Sequence, residues 1–198
     1  MPPSRILPTL IFLRHGETNW NVEGRLQGQR DIPLNDKGRA QAKRNGEAVV
    51  AAMPEAKGFD FMASPLIRSR ETMEIARLAM GLDPSAYHLD DRLREITFGE
   101  WEGFTTAELR TKHANLVAER ERDKWRFLPP GGESYALLQE RIEAWVATLN
   151  RPTFAVSHGG VGRVIRTLLL GVDPRDAVAA DFPQDRLLLI EGGKGKWV

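Results

Sequence analysis

The sequence predicts an α/β fold, a three-layer α/β/α sandwich around a mostly parallel central sheet. Three observations lead there. Compact apolar runs at residues 9–13 (TLIFL), 59–64 (FDFMAS) and 153–157 (TFAVS) have the character of strands buried in a parallel sheet. Segments of helical period alternate with them, the pattern of helices laid on both faces of such a sheet. Two of the runs also stop in the same way: Leu13 gives way to Arg14-His15-Gly16, and Ser157 to His158-Gly159.

Taken in order, the run at 9–13 is the first strand. Asn35 is placed to cap a helix whose Ala42, Gly46, Val49, Val50 and Met53 share one face. The run at 59–64 precedes PLIRSRETMEIARLAM, where Pro65 suits a first helical turn. Residues 86–93 (AYHLDDRL) make a weaker strand. Thr105 to Glu108 (TTAE) have the spacing of a capping box and should open a helix running on into AERERDKWR. Pro129, Pro130, Gly131 and Gly132 then end it. Leu138, Ile142, Trp145 and Leu149 stripe a further helix, and Val161, Val164, Ile165, Leu168 and Leu169 stripe the one after the last apolar run.

Composition excludes several functions. With 41% hydrophobic and 28% charged residues and a formal net charge of +1, the chain reads as a single soluble cytoplasmic domain without a global field for nucleic acid or membranes. Any anion affinity must come from locally placed arginines. There is no cysteine, hence no disulfide and no thiolate chemistry. The apolar run ending at Leu13 is too short for a signal segment or a membrane span.

In an open α/β sheet, ligands bind beyond the carboxyl ends of the strands. That edge would gather Arg14, His15, Arg68 and His158, a pocket suited to a tetrahedral dianion, because each guanidinium offers a planar fork of donors. Gly16 and Gly159 would let backbone approach the ligand. Neutral imidazole is a nucleophile, and neighbouring arginines keep it neutral. The arginines also supply the charge that phosphoryl transfer requires, so no metal and no cofactor are expected. An acid for the leaving oxygen could be Glu95, Glu100 or Glu102; Glu95 directly follows the weak strand and should lie nearest the edge. A carboxyl set against a phosphate dianion tends to hold its proton, as a general acid must.

Rival readings fit less well. His88 and His113 lack the spacing of a zinc site with His15 and His158. Neither Ser64 nor Ser157 sits in Gly-x-Ser-x-Gly. The basic stretch 110–126 is interleaved with Glu108, Glu119, Glu121 and Asp123, the mark of a solvated helix face.

The motifs LRHGETNWN, GRLQGQRDIPLNDKG, SPLIRSRET, LREITFGEWEG, PGGES and SHGG, in that order, resemble the histidine phosphatase superfamily, in the branch of cofactor-dependent phosphoglycerate mutases and small-molecule phosphatases. The resemblance implies a phosphoglycerate mutase-like fold, with His15 as the residue that becomes phosphorylated and Glu95 as proton donor. It implies Arg14, Arg68 and His158 as the phosphate pocket, with Asn21 and the Gln27-Gly28 turn adding hydrogen bonds and Gly159 lining it. One domain, 1–198, is expected, with a helical insertion at about 103–130 over the site, where the leaving group would meet Trp125 and Phe127. That insertion is shorter than in the mutases, and FGEWEG replaces their YGxLxGLNK, which favours hydrolysis of a small phosphorylated metabolite over phosphotransfer. A non-catalytic phosphate-binding module is the remaining alternative. After Pro183 the chain reads PQDRLLLI where many relatives have an Asn-containing turn, so no contact is carried over from there.

Overall fold

The computed structural model describes residues 7–198. The chain forms β1 (Leu10–Arg14), α1 (Asn19–Val22), α2 (Asp36–Ala52), β2 (Asp60–Ala63), α3 (Ile67–Ala79) and β3 (His88–Leu89). It continues as α4 (Thr106–Lys112), α5 (Ala114–Arg122), α6 (Tyr135–Val146), β4 (Thr153–Ser157) and α7 (Gly159–Leu170). The last elements are α8 (Pro174–Ala179), β5 (Leu187–Glu191) and β6 (Lys194–Trp197). The sheet runs β3-β2-β4-β1-β5-β6. Its β1–β4, β2–β4 and β2–β3 pairs are parallel, whereas β5 and β6 are antiparallel.

Strand parity builds the sandwich. Successive side chains point to opposite faces, so Leu10 and Phe12 of β1 join Ala155 of β4 in the layer of α6 and α7, with Leu138, Ile142, Trp145, Val164 and Ile165. Ile11 and Leu13 join Phe154 and Val156 in the layer of α2 and α3, with Val49 and Met73. Both faces are covered, which is why β1 and β4 read as unbroken apolar runs instead of alternating ones.

The predicted elements appear in order; α1 and α8 were not predicted, and four further differences stand out. The helix after β2 begins at Ile67, not Pro65. Ser64 is still tied to the sheet through its N–H to Val156 O (3.0 Å), and its place before a proline keeps it extended. The Ile67 N–H is capped from afar by Asp31 Oδ1 at 2.6 Å. The weak strand at 86–93 shrinks to two residues, because Asp90 accepts the Arg92 N–H and turns the chain into a 3-10 segment, Asp91–Leu93. The helix opened by the Thr105–Glu108 capping box is real but breaks at His113, and α5 folds back, as the Arg110–Glu121 pair at 2.6 Å requires. Leu109 and Val117 thereby enter the same core, where an unbroken helix would set them roughly 12 Å apart along its axis. Finally, β5 and β6 extend the sheet where no strand was predicted.

Candidate active site

β1 and β4 are immediate neighbours, with Arg14 opposite Ser157 and the His15 N–H donating to Ser157 O at 2.9 Å. The next residue on each chain is a histidine, and the two rings stand edge to face with centroids 5.2 Å apart. The repeated His-Gly pair is thus one structural edge met twice. A cleft opens there, and Arg14, His15, Asn21, Gln27, Gly28, Arg68, Glu95 and Gly159 all line it.

The His15 ring is fixed in one tautomer. Its Nδ1 lies 2.7 Å from Gly16 O, which can only accept, so Nδ1 carries the hydrogen and Nε2 keeps its lone pair. Arg68 Nε donates to that Nε2 at 3.2 Å. Burial pushes the His15 pKa well below the ordinary value, and the Arg68 and Arg14 charges push it further. The ring is neutral at physiological pH.

Arg68 is fully buried at the start of α3. It donates to Arg30 O and Gly28 O, both at 2.7 Å, as well as to His15. Burial lowers its pKa to about 10, which still leaves a cation near neutrality. Arg14 donates to Phe182 O at 2.6 Å, while its buried Nε has no hydrogen-bond partner in the protein. Burial lowers its pKa, and the neighbouring Arg163 lowers it further.

Glu95 is held by backbone: one carboxylate oxygen accepts the Ile96 N–H at 2.9 Å and the other the Gly160 N–H at 3.1 Å. Gly160 makes room, since a Cβ there would run into that carboxylate. Asn21 commits its side-chain oxygen to the Thr18 N–H, the Thr18 hydroxyl and Gln184 Nε2, all at 3.1 Å, which leaves its NH2 group for an anion. Gln27 is buried with Oε1 unpartnered. Gly28 turns at φ 50°, and a Cβ on it would strike Glu102.

His158 lies behind His15, fully buried. Its Nε2 faces the hydroxyls of Ser64 (2.7 Å) and Ser69 (3.3 Å), and its Nδ1 has no partner in the protein. Burial, followed by the Arg68 charge, lowers its pKa well below the ordinary value.

Several residues fall elsewhere than the sequence suggested. Gly16 is required by protein packing, because a Cβ there would collide with the Gly38 backbone at the start of α2. Glu100 is exposed, and Glu102 is engaged in loop contacts. No residue of 103–130 lines the cleft; Trp125 stacks on Tyr135 at 5.6 Å and Phe127 on Trp101 at 5.2 Å, so both aromatics support it from the core. Ser64 is fully buried, and the Ser157 hydroxyl donates to Leu93 O. Among the described residues, no group of three His, Asp or Glu is placed to hold a metal ion. No helix among them is long and apolar enough to cross a membrane.

Arg25, Leu26, Ile96, Phe98 and Gly160 line the cleft without having been read from the sequence, and three further residues also escaped it. Arg163 and Tyr135 line the cleft. Arg163 lies one helical turn beyond Gly159, and that i,i+4 relation was a usable signal. Gln184 donates to His15 O at 3.0 Å as well as to Asn21. It comes from the unassigned loop before β5, and no local pattern announced it.

The comparisons with known proteins agree with this arrangement. The profile of the Histidine phosphatase superfamily (branch 1) matches residues 10–198. A glucosyl-3-phosphoglycerate phosphatase of Mycolicibacterium vanbaalenii is 31% identical over 96% of this chain and 82% of its own. A protein of Escherichia fergusonii named "Probable phosphoglycerate mutase GpmB" is 36% identical over 81% of this chain and 74% of its own. The solved structure of the mycobacterial glucosyl-3-phosphoglycerate phosphatase superposes with a TM-score of 0.78 at 28% identity, covering 92% of this chain and 89% of that one. With the profile spanning nearly the whole chain and the two His-Gly strand ends meeting beside the buried Arg68 and the half-buried Arg14, the protein belongs to branch 1 of the histidine phosphatase superfamily.

Proposed function

We propose that the protein hydrolyses phosphomonoesters of small metabolites through a phosphohistidine on His15. The observation that carries the reading is the fixed, neutral His15 ring at a cleft lined by Arg14 and Arg68, with an unprotonated Nε2 that accepts from Arg68 Nε and must exchange that bond for phosphorus. In the first half-reaction Nε2 attacks phosphorus while the bond to the leaving oxygen breaks and Glu95 gives that oxygen its proton. Charge developing on the ring is met by the Nδ1–H bond to Gly16 O. Arg14 and Arg68 neutralise the equatorial oxygens, with the Asn21 NH2 as a further donor, while His158 packs behind the His15 ring. In the second half-reaction Glu95, now a carboxylate, takes a proton from water as that water attacks phosphorus. The N–P bond breaks and phosphate leaves.

The relatives suggest where to look for a substrate. One is named for glucosyl-3-phosphoglycerate, and another for phosphoglycerate mutase activity, which favours phosphotransfer as a second reading. The test is a panel of phosphomonoesters, including sugar phosphates, phosphoglycerates and glucosyl-3-phosphoglycerate, assayed with chelator present. Hydrolysis predicts release of inorganic phosphate; transfer predicts a phosphorylated product without it. No turnover of any ester, with phosphate still bound, would leave only a phosphate-binding module.

A further inference from the structure

Glu102 was one of three candidate acids in the sequence, yet its carboxylate is committed elsewhere. Its side chain is 8% exposed. Oε1 accepts three hydrogen bonds: from the Gln29 N–H (2.9 Å), the Thr97 hydroxyl (2.9 Å) and the Phe98 N–H (3.1 Å). Oε2 lies 3.5 Å from Arg30 Nε. These donors come from two segments, residues 27–30 and residues 95–98, that share no strand or helix.

Each segment bears on the reaction. The carbonyls of Gly28 and Arg30 hold two guanidinium nitrogens of Arg68, and its third nitrogen holds His15 Nε2. The other segment begins with Glu95, whose carbonyl accepts from Gln29 Nε2 at 3.1 Å. Gly28 adds a constraint, because its positive φ and the closeness of Glu102 leave no space for a side chain.

We infer that Glu102 is a positioning residue that clamps the Arg68-holding turn to the Glu95-bearing loop, so that nucleophile and acid keep one mutual geometry. It touches no reacting atom and acts through Arg68 and Glu95. What matters is the reach and acceptor capacity of its Oε1, not its charge. The inference rests on the proposed roles of His15 and Glu95. Burial is the first cause of the lowered His15 pKa; Arg68 from α3 and Arg14 from β1 add to it, with neutral His158 alongside, and of the two charges only Arg68 is held through the clamp.

The test compares Glu102→Gln, Glu102→Asp and Glu102→Ala in the full chain, each checked for folding by circular dichroism. Gln keeps an oxygen at the same reach, so its kcat should stay close to that of the parent protein. Asp keeps the charge but falls one methylene short and should lose activity, as should Ala. Displacements of this kind cost up to roughly 10²-fold in rate. A readout independent of turnover is the His15 pKa, followed by NMR with ¹⁵N-labelled histidine. It should rise in the Asp and Ala variants as Arg68 loosens, while burial still holds it below about 6.5, and stay unchanged in Gln. Active Asp with inactive Gln would overturn the inference, because charge would then be what counts. An unmoved His15 pKa in folded Asp and Ala variants would overturn it equally. A parent protein without phosphatase activity would fail the proposed function instead, and the NMR comparison would still judge the clamp.

Discussion

At the scale of single residues, electrostatics make a directional claim. His15 and His158 are both buried and held neutral, with pKa values well below the usual one. Activity that needs a neutral His15 should therefore stay flat as pH falls through about 6.5, where an ordinary histidine would already be charging. A kcat/KM profile whose acid limb sits near 6.5 would contradict this. The same shifts bear on stability. Between the folded and unfolded pKa values the unfolded chain binds more protons, so this contribution is intact above about 6.5 and is lost as pH falls. Its slope approaches about 1.4 kcal/mol per pH unit for each histidine. Denaturant melts between pH 7 and pH 5 should show the loss, and His158→Asn should flatten it. Glu95→Gln makes a second claim. It keeps an acceptor for one of the Ile96 and Gly160 N–H groups, turns an NH2 toward the other, and cannot deliver a proton. Phosphorylation of the enzyme by an alkyl phosphate should slow by about 10² to 10⁴, and by p-nitrophenyl phosphate much less, since phenolate leaves unaided. Single-turnover bursts separate this step from dephosphorylation. Equal slowing with both esters would mean that Glu95 shapes the pocket without donating a proton.

At the scale of elements, α7 meets the proposed acid at Gly160, whose N–H donates to the Glu95 carboxylate. Replacing glycine by alanine in a helix ordinarily favours the helix by about 1 kcal/mol. Here the new methyl would displace the Glu95 carboxylate. Gly160→Ala should therefore lose activity toward alkyl phosphates out of proportion to any change in melting temperature. An active variant would show that the Gly160–Glu95 contact is dispensable. Helices with one strong apolar stripe or a short polar cap were legible in the sequence: Asn35 does cap α2, and the stripes of α6 and α7 do face the core. Boundaries set by distant residues were not legible, as with Ile67 capped by Asp31. Nor was the break at His113, which depends on a core assembled from both halves of the insertion.

At the scale of the whole molecule, the sandwich was legible because β1 and β4 carry apolar residues on both faces, a pattern that only a covered sheet requires. The antiparallel edge was hidden: β6 reads Lys-Gly-Lys-Trp and becomes a strand only through its pairing with β5. For the same reason most of the candidate site, which lies at strand ends, could be read in advance, while Gln184 from the unassigned loop could not. The core that sets the strand ends is tightly engaged. Trp145 is fully buried against the β1–β4 layer, and Trp145→Ala should cost about 3–5 kcal/mol in denaturant unfolding. The His15 tautomer should persist in the fraction that remains folded, so activity per folded molecule should hardly change. The central claim is that this fold brings two strand ends together so that His15 takes up the phosphoryl group. The most direct measurement is rapid quenching with a ³²P-labelled substrate, followed by acid and base treatment of the intact protein. The account predicts acid-labile, base-stable label on the parent protein and none on His15→Ala; label that persists in His15→Ala, or that is stable to acid, would contradict it.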